Sequence, residues 1–347
     1  MKLLLDCDTG IDDAVAIAYA LASPEAEVLS IGTVFGNTAV DLAAENTLKL
    51  LALMGRADIP VALGAHKPMH RPLLTAGWVQ GEDGLGNTNM PASGLAVSGE
   101  HAVDQIIRLA RANPGDLTLV PVGRLTNLAL ALLKAPDLPS LVRRVVLMGG
   151  TAVEPGNVGP LAEANIWGDP EAASVVFAAD WSITMVGLDV TMRALLLPEH
   201  MERWRQADTP LTRWLERVLE VYFGYYTAML GRRACAMHDA VAVGVALGLV
   251  EVREAHTLPV SISTYDGPTL GTTLVDRRPL VSRLYGDHGI QTLAANLAEH
   301  HRPHVRALFP AEMGKTTVLM QIGAQEFIAH LVERIATYRS PVDGPLT

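Results

Sequence analysis

Cysteine is nearly missing from this sequence: Cys7 and Cys235 are the two among 347 residues. Two cysteines make no disulfide framework, so a reducing cytoplasm is the expected setting. Basic side chains are also short, 27 Lys and Arg against 37 Asp and Glu, for a formal net charge of −10. That balance disfavours nucleic acid or an anionic membrane surface as the main partner, and suits a small neutral substrate or a cation. No apolar run approaches the roughly 20 residues that span a bilayer. The start, MKLLLDCD, turns acidic after three leucines, too soon for a signal-peptide apolar region. Charged residues amount to 18% against 49% apolar, which leaves no case for disorder and ample material for a core. There is no internal repeat, low-complexity tract or linker, so 1–347 is read as a single domain.

What is present alternates. Short apolar runs at Leu3–Leu5, Val28–Phe35, Leu117–Val122, Val145–Met148 and Ile183–Leu188 read as buried strands. Helical patterns at Ala14–Ala22, Leu42–Met54, Ala102–Ala112, Leu128–Leu133 and Pro170–Ala178 lie between them. The pattern predicts an α/β fold with an open, mostly parallel sheet and helices on both faces. Ligands of such sheets bind beyond the carboxyl ends of the strands, where Asp6, Asp8, Gly36, Asn37, Gly123, Gly149 and Asp189 fall. Residues 193–232 read as a helical insertion near that edge, broken at Pro210. Residues 64–100, rich in Gly, Pro, Asn and Met, read as a long and therefore functional loop.

Two motif matches fail. Gly314–Thr317, "GKTT", lacks the glycine a phosphate-binding loop needs five positions earlier, where Phe309 stands. Gly81–Asn87, "GEDGLGN", has no strand-to-helix context for a dinucleotide site.

The segment "LLLDCDTGIDDAVAIAYAL" sets four aspartates between Asp6 and Asp13, where a buried strand passes into a helix. Crowded like charges disfavour ionisation unless a cation or a polar ligand lies among them. Helix capping accounts for one of Asp12 and Asp13. It does not account for Asp6 and Asp8 at the end of an apolar strand. Oxygen-only ligands point to Ca²⁺ or Mg²⁺ rather than zinc.

"DCDTGIDDAVAIAYAL" resembles the opening signature of the inosine–uridine-preferring type of nucleoside hydrolases. "VFGNTAVDLAAENTLKLL", "LTLVPVGRLTNLALAL", "VVLMGG", "AEANIWGDPEAA", "MVGLDVT" and "MHDA" resemble that family's segments in its order, along nearly the whole chain. The resemblance implies Ca²⁺-dependent hydrolysis of the N-glycosidic bond of ribonucleosides, giving free nucleobase and ribose. It implies Asp8, Asp13 and Asp239 as carboxylate ligands of the ion, with the Val122 backbone carbonyl. Asp8 is also implied as general base and His238 as proton donor to the leaving base. Asp12 and Asn37 would address the ribose 2′-hydroxyl, Asn157, Glu163 and Asn165 other hydroxyls, and Asp6 would support the cluster from behind. A homodimer or homotetramer is expected.

The chemistry is consistent with those roles. N-glycosidic cleavage passes through an oxocarbenium-like transition state that a carboxylate-rich pocket stabilises. Carboxylates and amides aimed at ribose hydroxyls reject a sugar that lacks one. Tyr222, Phe223, Tyr225 and Tyr226 read either as lining of a base pocket or as helix core packing.

The chain departs from the family at the base end. Gln80, in "WVQGEDGLGN", stands where members commonly carry histidine, and glutamine donates a hydrogen bond but delivers no proton. Ala164 replaces a usual aromatic. Gln80 is kept as a substrate-binding residue, and the base preference stays open. Competing readings are a haloacid-dehalogenase-like phosphatase, from "LLLDCDTG", and a catalytically silent nucleoside- or ribose-binding protein. The first places its threonine two positions after the second aspartate, whereas Thr9 follows Asp8 directly.

Overall fold

Residues 1–278, 280 and 315–341 are described by this computed structural model. Its strands are β1 (Lys2–Cys7), β2 (Glu27–Thr33), β3 (Val61–Leu63), β4 (Leu117–Pro121), β5 (Arg144–Met148), β6 (Ile183–Val186), β7 (Leu195–Leu196), β8 (Cys235–Ala236), β9 (Val252–Leu258), β10 (Val260–Ile262), β11 (Thr273–Val275) and β12 (Thr316–Ile322). Eight of them form one sheet in the order β3-β2-β1-β4-β5-β6-β12-β9, parallel throughout except that β9 runs antiparallel to β12. The mostly parallel sheet expected from the alternation is therefore present. Of the rejected Gly314–Thr317 match, Gly314 lies outside the described residues, and Thr316 and Thr317 open β12.

The period of two in β1 sends Leu3, Leu5 and Cys7 into one apolar layer and Leu4 into the other. The first layer is built on α1 (Ile11–Ala22), α2 (Val40–Leu53), α11 (Pro210–Leu230), α12 (His238–Leu247) and α13 (Ala324–Thr337). The second rests on α4 (Ala102–Ala112), α5 (Thr126–Lys134) and α8 (Pro170–Ala178). Between these stand α3 (Gly77–Gln80), α6 (Leu138–Leu141), α7 (Ala164–Gly168), α9 (Leu188–Thr191) and α10 (Met201–Ala207). Helix α1 is buried along all but its last residue and α12 along its whole length, as expected of helices that are apolar all round. The two pack against each other. Each begins beside the sheet's carboxyl edge, with acidic residues in its first turn: Asp12 and Asp13 in α1, Asp239 in α12.

Most element ends lie a residue or more from the sequence reading, and two of the differences have a clear cause. The sixth strand stops at Val186 because Asp189 turns back to accept from the backbone N–H groups of Ala152, Val153 and Glu154 at 2.8–3.1 Å. Pro210 does not interrupt a helix; it opens α11 behind Thr209, whose side chain accepts from Thr212 N. The long loop 64–100 carries α3 as its one-turn helix, and Gly86 lies against α11, where a Cβ would come within 2.6 Å of the Val218 carbonyl. None of the described helices is long and apolar enough to cross a membrane.

Candidate active site

Strand β1 delivers the acidic segment to the carboxyl edge, and the turn after it folds back on its own helix. Asp13 Oδ1 accepts from Asp8 N at 3.1 Å and Oδ2 from Gly10 N at 2.9 Å. Asp13 is thus the aspartate that capping explains. Asn37, just past β2, donates N to Asp8 Oδ2 at 2.7 Å and Nδ2 to Asp8 Oδ1 and Asp13 Oδ2 at 3.2 and 3.0 Å. The approach is close enough to require Gly36, where a Cβ would lie 1.9 Å from Asp8 Oδ2. Asp6 faces the other layer, accepting from Asn127 Nδ2 at 2.8 Å while its second oxygen has no partner among the described residues. Burial pushes its carboxyl up to about 7.

Asp12, Asp13 and Asp239 each bring a carboxylate oxygen within 4.8 Å of the other two, and all three are buried. Asp12 Oδ2 accepts from Tyr222 OH at 3.1 Å, but Asp12 Oδ1 is buried without a partner among the described residues. Burial, and then the neighbouring carboxylates, drives the Asp13 and Asp239 carboxyls well above the usual range. Such a group is costly without a cation, and its donors are all hard oxygens, so it fits a hard divalent ion. The fold thus brings Asp12, expected at the ribose, together with Asp13 and Asp239 as oxygen donors that could hold an ion. Asp8 stands beside this group with its oxygens taken by Asn37 and by Arg124, whose Nη1 lies 2.8 Å from Asp8 Oδ2. Burial outweighs that guanidinium and holds the Asp8 carboxyl above its ordinary value.

The same Arg124 nitrogen donates to Asn165 Oδ1 at 2.7 Å. Asn165 Nδ2 donates to the Val122 carbonyl at 2.6 Å and the Met148 carbonyl at 3.1 Å. Arg124, in "VGRLTN" on the loop after β4, is a buried residue absent from the sequence reading, and no local pattern marks it. Glu163 is fully engaged as the N-cap of α7, accepting from Gly150 N, Asn165 N and Ile166 N at 2.9–3.1 Å. Asn157 Oδ1 accepts from Ala164 N at 2.9 Å.

At the other helix start, His238 Nδ1 lies 2.7 Å from Thr191 Oγ1 and Nε2 lies 2.5 Å from the Tyr226 hydroxyl. Burial lowers the His238 pKa. Tyr222, Tyr225 and Tyr226 of α11 stack edge to face, with ring centres 4.9 and 5.2 Å apart. Gln80 turns inward and its Oε1 accepts from Ile11 N at 2.7 Å, which makes it a side-chain cap for α1.

These groups line a cavity of about 420 Å³, large enough for a small ligand. Asp12, Asn37, Gln80, Val122, Asn157, Glu163, Asn165, His238 and Asp239 are on its wall, as are Arg124 and the three tyrosines. Asp8 and Asp13 lie behind that wall, tied to it through Asn37. Trp78 stands at the wall with 76% of its surface exposed.

Residues 3–315 match the family model described as inosine-uridine preferring nucleoside hydrolase. The chain is 40% identical over 279 residues to the inosine-uridine preferring nucleoside hydrolase of Crithidia fasciculata, covering 80% of this chain and 88% of that protein. It is 36% identical over 337 residues to the pyrimidine-specific ribonucleoside hydrolase RihA of Photobacterium profundum, covering 97% and 99%. Among solved structures, the purine-preferring ribonucleoside hydrolase from Gardnerella vaginalis superposes with a TM-score of 0.84 at 30% identity, over 97% of this chain and 98% of that one.

Proposed function

The chain belongs to the inosine-uridine preferring nucleoside hydrolase family, and from that premise we propose how its site cleaves the N-glycosidic bond of ribonucleosides. The enzyme is a ribonucleoside hydrolase. In our reading it works with Ca²⁺, held by Asp13 and Asp239 together with Asp8 and the Val122 carbonyl, and with Asp12 beside it. A bound Ca²⁺ would neutralise the crowded carboxylates and polarise a water and the ribose hydroxyls. The observation that carries this reading is the group of three buried carboxylates, one of them with an oxygen that nothing in the described protein satisfies.

The chain's own groups then divide the work. Asp8 takes a proton from the attacking water; its burial-raised basicity suits that task. Asp12 and Asn37 orient the 2′-hydroxyl. Asn165 and Asn157 hold the sugar on its other side, with Glu163 fixing the backbone that presents them. The carboxylates around the anomeric carbon stabilise the positive charge that develops there. The departing base takes its proton from the Tyr226 hydroxyl, which its contact with His238 Nε2 holds in place, and the tyrosinate regains a proton from solvent, which receives the one collected by Asp8. Thr191 fixes the ring by its contact with Nδ1.

The same reading takes 1–347 as one domain acting as a homodimer or homotetramer in a reducing cytoplasm. It draws on one sheet shared by both apolar layers and on two free, buried cysteines. Light scattering tests the assembly. The functional test is a panel of ribonucleosides incubated with the metal-stripped enzyme, with and without Ca²⁺, assayed for free base and ribose. Release that depends on Ca²⁺ and falls by orders of magnitude on 2′-deoxynucleosides is expected. Equal rates on uridine and 2′-deoxyuridine, or full activity in chelator, would contradict it.

A further inference from the structure

Arg124 is 6% exposed, yet its guanidinium is only half used. Nη1 gives its two hydrogens to Asp8 Oδ2 and Asn165 Oδ1. Nε is enclosed against Gly168 with no partner among the described residues, and the hydrogen bonds of the guanidinium to those residues both come from Nη1, which leaves Nη2 open. The residue lines the same cavity as Asn165 and Asp12. A charged donor left unpaired in a buried place is costly, and a ligand oxygen removes that cost.

The shape of the surroundings supports a built position rather than an accident of packing. The guanidinium fits between two glycines. A Cβ on Gly168 would come 2.5 Å from Arg124 Nε and 3.0 Å from both Cγ and Cδ, and one on Gly36 would come 3.0 Å from Cζ. Neither glycine has a backbone conformation that demands glycine.

The charge of the cavity decides what the free edge can take. The carboxylates of Asp8, Asp12, Asp13, Glu163 and Asp239 face one guanidinium, and a divalent ion would still leave acid in excess. That excess of negative charge repels a phosphate or a carboxylate. A neutral sugar oxygen is not.

On the reading of the site given above, we propose that Arg124 is a further sugar-binding residue of the reaction. Its Nη2 donates to a ribose oxygen beside Asn165, while Nη1 locks the Asp8 carboxylate and the Asn165 amide in register. One planar fork thus links the base to the sugar it acts on, a geometry lysine does not reproduce.

Calorimetry with Ca²⁺ alone, and then with ribose on the Ca²⁺-loaded enzyme, separates this from a packing role. Arg124→Met removes a positive charge next to Asp8, so Ca²⁺ binding should hold or tighten. Ribose binding should weaken by about 10–100-fold, as for a lost hydrogen bond to a charged group, and KM for ribonucleosides should rise with it. Gly168→Ala, which displaces the arginine and leaves every carboxylate in place, should shift ribose binding in the same direction. Parallel loss of both Ca²⁺ and ribose in Arg124→Met would mark a structural prop and overturn the proposal. Wild-type ribose affinity in both variants would overturn it as well, with the reading of the site intact. A wild-type enzyme that binds neither Ca²⁺ nor ribose overturns both.

Discussion

Replacing Glu163 by alanine takes the acceptor from three backbone N–H groups at once. Gly150 N, Asn165 N and Ile166 N reach its carboxylate at 3.0, 2.9 and 3.1 Å, and the side chain is 2% exposed. A buried donor left unpaired costs about 1–3 kcal/mol. Three would cost more than one, but two corrections reduce the sum. Burial already raises the Glu163 pKa, so part of the hydrogen-bond gain offsets the cost of desolvating the charge. The cavity next to the site also lets water reach some of the freed groups. A loss of about 3 kcal/mol follows, a large share of the roughly 5–15 kcal/mol that holds a typical domain together. Urea unfolding would read it as a lower midpoint at unchanged slope. Glu163→Gln keeps one acceptor oxygen and should fall between the two. Turnover should drop in both variants, because Glu163 sets the backbone that aims Asn165 at Val122 and Arg124. Wild-type stability in Glu163→Ala, with only KM raised, would refute this reasoning and make Glu163 a sugar ligand, the role its sequence suggests.

Gln80→Ala should cost about 1 kcal/mol, the usual worth of a helix cap, because Oε1 caps Ile11 N. Gln80→His should leave the ratio of pyrimidine to purine hydrolysis unchanged if capping is its whole role, and a changed ratio in a nucleoside panel would count against it. Asp6, held up to about 7 against an ordinary 3.8, favours the fold while protonated and costs stability as pH rises through that range. In chelator, the wild type should therefore lose stability relative to Asp6→Asn between about pH 4 and 8; parallel pH curves of the unfolding midpoint would contradict this. Tyr226→Phe breaks the contact to His238 Nε2 and should cut turnover by about 10²-fold, the lower end of what a positioned acid contributes. Steady-state rates unchanged by that substitution would remove the pair from the reaction.

Alternation of apolar runs and helical periods was enough to find the parallel sheet, because every β-α unit repeats the same signal. The strand ends were less legible. Ile183–Leu188 reads as one mostly apolar run, but β6 ends at Val186, before Gly187 and the backbone contacts of Asp189. At the site, the residue types and their order told which side chains gather at the edge, but not which neighbours each one meets. Glu163 and Gln80 look like ligand-binding polar residues in a linear reading. Their carboxylate and amide oxygens go instead to backbone N–H groups of the structure around them. Arg124 is a different case. A single basic residue on a loop is usually solvated, and nothing local in "VGRLTN" signals a guanidinium enclosed by Gly36 and Gly168, which are distant in sequence.

The account rests most directly on the acidic group at the starts of α1 and α12. Titrating Ca²⁺ into the metal-stripped enzyme by calorimetry, for the wild type and for Asp239→Ala, tests it in one experiment. One ion per chain in the wild type, with binding lost or greatly weakened in the variant, is the predicted result. Equal Ca²⁺ binding by both proteins, or none by the wild type, would contradict it.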